Sequence, residues 1–196
     1  MKTYRAIWLI LVVMCVAQLP AISTVLDWQR HAIEHGQWWR ILTGNLTHTN
    51  FIHLIMNGSA LAVITYIFRA HFREKQFVTQ FFLLCFAVGL AMFFSDYRQY
   101  AGLSGVLHGL FVIGAVADIR SGDRVGWLLL VGVFAKILWE QVFGASADTA
   151  ELIGASVATE AHLAGGIVGL AIAALSGWAA NAALGKEGPG FWDKEK

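Results

Sequence analysis

The sequence predicts an all-α membrane protein, a bundle of six transmembrane helices, and three observations carry that expectation. The 196 residues are 57% hydrophobic and only 14% charged, with a mean hydropathy of +0.60. A soluble domain carries about 25% charged residues, so this chain has too few to cover a surface facing water. Six apolar segments follow one another along the chain, and lysine and arginine gather in alternate links between them. The net charge of +1 leaves nothing for a nucleic-acid backbone to hold. Cys15 and Cys85 both lie inside apolar runs, where cysteine acts as a small buried hydrophobe rather than as a disulfide or metal ligand.

The first apolar run covers residues 6–26, behind Lys2 and Arg5. A positive start and small residues near Ala21 and Ser23 resemble a signal peptide. The run is nevertheless long enough to span a bilayer, which takes about 20 residues, and more spans follow; an uncleaved helix is expected. Residues 27–49 read as a mixed loop rich in tryptophan, with Trp28, Trp38 and Trp39 beside Arg30, Arg40 and His48. Tryptophan favours the membrane interface, so the loop is either an interfacial anchor or a structured lip around a site.

The second span is residues 51–68, the third 76–95, the fourth 103–117, the fifth 125–143 and the sixth 161–180. Residues 1–185 thus form a single six-span domain, and residues 186–196 a polar cytoplasmic tail. With the N-terminus inside, the inner segments hold Lys2, Arg5, Arg69, Arg73, Lys75, Arg120, Arg124, Lys186, Lys194 and Lys196. The outer links hold Arg30, Arg40 and Arg98. That asymmetry obeys the positive-inside rule, and an even number of spans returns the C-terminus to the cytoplasm.

Spans two, four and six then run in one direction, from outside to inside. His53 and Asn57 stand near the start of span two, Ser104 heads span four and His162 heads span six. All four are therefore expected at one depth, just below the outer face. A serine hydroxyl needs a base to become a nucleophile, and histidine titrates near neutrality. The backbone N–H of Ser104 and the side chains of Asn57 and His53 are candidate donors to a developing oxyanion. Gly105 and Gly109, and Gly165 and Gly169, recur at a spacing that lets transmembrane helices approach closely. A lone membrane serine more often bonds its own helix; the conjunction of four such residues at one depth is what points to catalysis. No carboxylate is evidently placed to orient His162. Lys136 and Glu140, four apart in span five, are expected to pair with each other.

At these residues the chain resembles the rhomboid family of intramembrane serine proteases. Gly102-Leu103-Ser104-Gly105 is similar to that family's GxSG nucleophile motif, and Ala161-His162 with Gly165 and Gly169 to its AHxxGxxxG base motif. His53 and Asn57 match the HxxxN pair, His48 a recurrent upstream histidine, and Trp39-Arg40 a first-loop WR pair. The resemblance implies a rhomboid-like bundle in a bacterial inner membrane, with both termini cytoplasmic and the site open to the periplasmic face. It implies a Ser104–His162 dyad needing neither cofactor nor metal. Many rhomboids have tyrosine four residues after the serine; this chain has His108, which either packs on His162 or tunes it. That substitution and the compact chain resemble the rhombosortase subgroup, whose partners are secreted proteins bearing a C-terminal Gly-Gly motif and a transmembrane segment. The competing expectations are a general rhomboid protease and a non-catalytic binder of transmembrane segments.

Overall fold

The protein is described by a computed structural model over residues 3–183. The tail expected over residues 186–196 lies outside the described residues, as do Lys2, Lys186, Lys194 and Lys196. Ten α-helices, two 3₁₀ turns and one two-stranded ribbon make up the regular structure of the described residues.

The first apolar run is not one helix. Helix α1 (Thr3–Ala17) ends before helix α2 (Pro20–Leu26), and the two diverge by 104°. Pro20 causes the break. It has no N–H to continue the ladder, and it holds Leu19 in an extended conformation with ψ 131°. Four helices are long and apolar enough to cross a membrane, and the bent pair makes at most a fifth. They are α6 (Glu74–Ala91, continued by a 3₁₀ turn to Phe94), α7 (Ser104–Ser121), α8 (Val125–Phe143) and α10 (Thr159–Ala183). Helix α5 (Phe51–Ile67) is apolar but has only 17 residues, about 26 Å at 1.5 Å per residue, against roughly 30 Å of hydrocarbon.

Residues 27–49 are a folded layer rather than a mixed loop. Strand β1 (Trp28–Gln29) pairs antiparallel with β2 (Gln99–Tyr100), so that Trp28 faces Tyr100. Short helices α3 (Arg30–Glu34) and α4 (Arg40–Thr43) follow. Trp28 is fully buried, and its indole N–H donates to the Gly89 carbonyl at 2.9 Å. Trp38 and Trp39 are exposed, as interfacial residues would be. Two arginines clamp the layer. Arg40, itself buried, donates to the Asp27 carboxylate at 2.8 Å, to the carbonyls of Asp27 and Thr24, and to Gln37 Oε1. Arg30 donates to the carbonyls of Met92, Phe93, Ser95 and Tyr97. These include carbonyls left over at the end of α6, and the planar five-donor guanidinium suits several acceptors at once.

His48, just after this layer, is buried with its ring edge-on to His53, 5.0 Å between centroids. Burial pushes its pKa down to about 3, so the folded protein keeps it neutral at physiological pH.

Helices α7 and α10 form the central pair. Gly105 and Gly109 of α7 face Ala161, Gly165 and Gly169 of α10 backbone to backbone. A methyl at Gly165 would fall on the Gly105 carbonyl, and one at Gly109 would stand 2.9 Å from the Gly165 carbonyl. Helix α6 closes the other side of the pair, with Val88 against Gly105 and Leu84 against Gly109. Helix α8 lies at the periphery and buries only Gly126, Ile137 and Glu140. A ninth helix, α9 (Ala147–Ile153), fills the link between α8 and α10.

Two outcomes follow. Gly165→Val forces the central helices apart and costs about 2 kcal/mol or more, the scale of an overpacked core. Gly132→Ala, where an added methyl meets nothing within 4 Å and the helix interior favours alanine, does not lower thermal stability in detergent. Second, the unfolded chain binds a proton at His48 near pH 6.5 and the folded chain only near pH 3. His48 therefore makes stability fall as pH drops below about 6.5, and a melting-temperature series in pH has a shallower acid slope in His48→Phe.

Candidate active site

The turn that carries Ser104 is held from the first-loop layer. Tyr100 donates its hydroxyl to the Gly102 carbonyl at 2.6 Å, and the Gly102 N–H donates to the Gly44 carbonyl at 3.3 Å. Gly102 has φ +132°, which residues with a side chain avoid. A Cβ there would also stand 2.7 Å from His53 Cε1. The chain thus turns sharply into α7, whose first residue is Ser104. A backbone N–H at this position has no acceptor within the helix, and the helix dipole is positive there.

His162 lies in the first turn of α10, buried. The glycine seam brings it onto Ser104, with Nε2 and Oγ 2.9 Å apart. Its Nδ1 is 2.8 Å from Glu140 Oε2. A carboxylate can only accept, so Nδ1 carries the proton; Nε2 is then the lone pair that accepts from the Ser104 hydroxyl. The expectation that no carboxylate stands by His162 is therefore corrected. Glu140 reaches it from α8.

Lys136, one turn earlier on α8, donates to Glu140 Oε2 at 2.8 Å, which is the pairing expected from their spacing. It also donates to His108 Nε2 at 2.8 Å. His108 in turn donates its Nδ1–H to the Ser104 carbonyl at 2.7 Å. Its ring stacks on that of His162, with centroids 4.2 Å and planes 22° apart. His108 therefore packs on His162, as the family's tyrosine does by resemblance, and also holds an ammonium. Lys136 Nζ lies 3.4 Å from His162 Nδ1, but both atoms carry hydrogens, so this is proximity without a hydrogen bond. His108, Glu140 and His162 offer three ligand atoms within 4.8 Å of one another, a set that could hold a metal ion. The Lys136 ammonium stands among them and already fills the cationic position, so the donor set as arranged does not fit a metal.

On α5, Thr49 and Asn50 lead into the helix, Asn50 capping it by accepting the His53 N–H at 2.8 Å. Thr49 gives its hydroxyl hydrogen to the Ile153 carbonyl at 2.7 Å. Its oxygen, 3.0 Å from His53 Nδ1, must then accept, so His53 carries its proton on Nδ1. Neutral His53 thus presents Nε2 as a lone pair, and becomes a donor there only as imidazolium. Asn57 differs. Its side-chain Nδ2 is buried with no hydrogen-bond partner among the described residues, and a buried donor left unmade is costly.

Ser104, His162, His53, Asn57 and His108 all line one cavity of about 650 Å³, together with Lys136, Glu140, Ser146 and Thr149; most of its remaining wall is apolar residues of α5, α7 and α8. Of the remaining expected residues, His48 supports His53 from behind, Gly102 makes room for it, and Gly105, Gly165 and Gly169 form the seam. The sequence reading missed Thr49, Tyr100 and the contact of Glu140 with His162. The last had a signal: in the expected topology α8 runs outward, so a charge three residues from its end at Phe143 falls at the depth of Ser104.

The rhomboid domain of known protein families matches residues 35–179. No curated protein sequence matches the chain. The matched region takes in the glycine seam, the Ser104 turn and every residue named around the cavity, and the chain belongs to the rhomboid family, a family of intramembrane proteases.

Proposed function

We propose that this chain is an intramembrane serine endopeptidase with Ser104 as nucleophile and His162 as base. The observation that carries the reading is the 2.9 Å contact of Ser104 Oγ with His162 Nε2, at the end of an apolar cavity that also holds the unpaired amide of Asn57. Ser104 Oγ bonds to the substrate carbonyl carbon as its proton passes to His162 Nε2. The carbonyl oxygen gains charge against the Ser104 N–H and Asn57 Nδ2. His162 then gives the proton to the departing amide nitrogen as the C–N bond breaks. Water, its proton taken by His162, attacks the acyl ester; the C–O bond to Ser104 breaks and the hydroxyl is restored.

The chain passes the membrane six times in this reading, with α1 and α5 as short crossings and α2 turned aside. Both termini are cytoplasmic, and the site opens to the periplasmic face of a bacterial inner membrane. The positive-inside pattern of Arg69, Arg73, Lys75, Arg120 and Arg124 supports that orientation. The apolar cavity between α5 and α8 suits a helix taken from lipid.

The substrates are secreted proteins with a C-terminal Gly-Gly motif and transmembrane anchor, as for rhombosortases. Two features support this. His108 stands in place of the usual tyrosine. A second cavity of only about 130 Å³ reaches Ser104 from the other side, bounded by Ala155, Ser156 and Ala158, and it has room for residues with little side chain.

Co-expression with candidate proteins of that type tests the reading. The intact enzyme releases a shortened product and Ser104→Ala, though folded, releases none. Asn57→Ala lowers kcat by about 10²–10³, the cost of one oxyanion donor. Cleavage of ordinary rhomboid substrates instead would replace the Gly-Gly assignment with a general protease, and retained cleavage by Ser104→Ala would end the serine-protease reading.

A further inference from the structure

We propose that Glu140 is the positioning residue of the base, so that Ser104, His162 and Glu140 work as a triad braced by Lys136 and His108. This rests on the protease reading above.

The placement of α8 is the first ground. It turns Trp127, Val131, Leu138 and Val142 outward and buries Gly126, Ile137 and Glu140. At membrane depth leucine belongs against lipid and a carboxylate turns to the bundle interior, where it is tolerated only with partners to hold it. Glu140 has two, and both are polar donors: His162 Nδ1–H and Lys136 Nζ, each at 2.8 Å.

Hydrogen-bond polarity is the second ground. Glu140 can only accept, so it fixes the proton of His162 on Nδ1 and leaves Nε2 bare toward Ser104. When His162 takes the serine proton, its imidazolium already faces a carboxylate. Lys136 cannot do this work, because its ammonium and Nδ1–H are both donors. Its part is to balance Glu140 in the resting state, since a carboxylate buried alone would be costly.

His108 completes the brace. Its Nδ1–H is committed to the Ser104 carbonyl, and Nε2 is therefore an acceptor for Lys136. An aromatic ring without nitrogen would stack on His162 but leave the ammonium without that acceptor.

The test is the rate at which a small alkyl fluorophosphonate phosphonylates Ser104 in the full-length protein in detergent. The Oγ–P bond forms as fluoride leaves and the serine proton goes to His162, so the rate reports the base without any assumed substrate. Glu140→Gln keeps the shape and removes the charge. It is expected to lower kinact by about a hundredfold, within the range for general-base catalysis, with KI changed by less than about twofold. Lys136→Met/Glu140→Gln removes both charges together and so leaves neither one without its partner. It is expected to label as slowly as the single variant. If the double variant recovers the wild-type kinact, or the single variant never loses it, Glu140 and Lys136 are a structural pair and the triad is wrong. If wild type and Ser104→Ala label alike, the protease reading itself fails.

Discussion

The contact on which the site depends is the approach of two backbones. Where Gly105 and Gly109 meet Gly165 and Gly169, no Cβ atom separates α7 from α10. Helices packed through ordinary side chains lie 8–10 Å apart, and glycine at the crossing lets them close further. Ser104 and His162 ride at the heads of the same two helices, so the seam that packs the bundle also sets the distance between them. Packing and chemistry are here one constraint, because neither side chain is long enough to cross an ordinary helix interface.

A second layer keeps the seam from deciding everything. The turn before Ser104 is tied to the first-loop layer by the β1–β2 pairing, the Tyr100 hydroxyl and the Gly44 carbonyl. That layer is fastened to α6 by Trp28 and Arg30. These bonds join elements far apart in sequence where water does not compete, and most buried polar groups find a partner. Asn57 Nδ2 is the exception near the cavity. An unpaired donor beside a nucleophile is what a charge appearing only during reaction would use.

The sequence made this arrangement partly legible. Charge asymmetry led to an expected common depth for His53, Asn57, Ser104 and His162, and all four line one cavity. The paired glycines told which helices close. Three features were not legible. Pro20 stood in plain view, but an unbroken apolar run concealed the turn that it imposes at Leu19. The first-loop layer is held by arginine-to-carbonyl bonds, and a carbonyl leaves no mark in a sequence. Glu140 was matched to Lys136 because four residues apart is the nearest pairing on a helix. Its second partner lies 22 residues away, and only the crossing of α8 over α10 brings it near.

The cavity has a consequence for inhibitor chemistry. At about 650 Å³ it lies within the size range of small-molecule sites, 300–1,000 Å³. Its walls ask for an apolar body, while its reactive end offers one nucleophile and one uncommitted amide donor. A compound that fills the groove between α5 and α8 and presents an electrophilic carbonyl to Ser104 would also satisfy Asn57. Selectivity would then come from the end where Lys136 stands exposed beside Glu140. A carboxylate placed there on the scaffold would meet an ammonium in this protein, and nothing cationic in a relative that keeps an uncharged residue at that position.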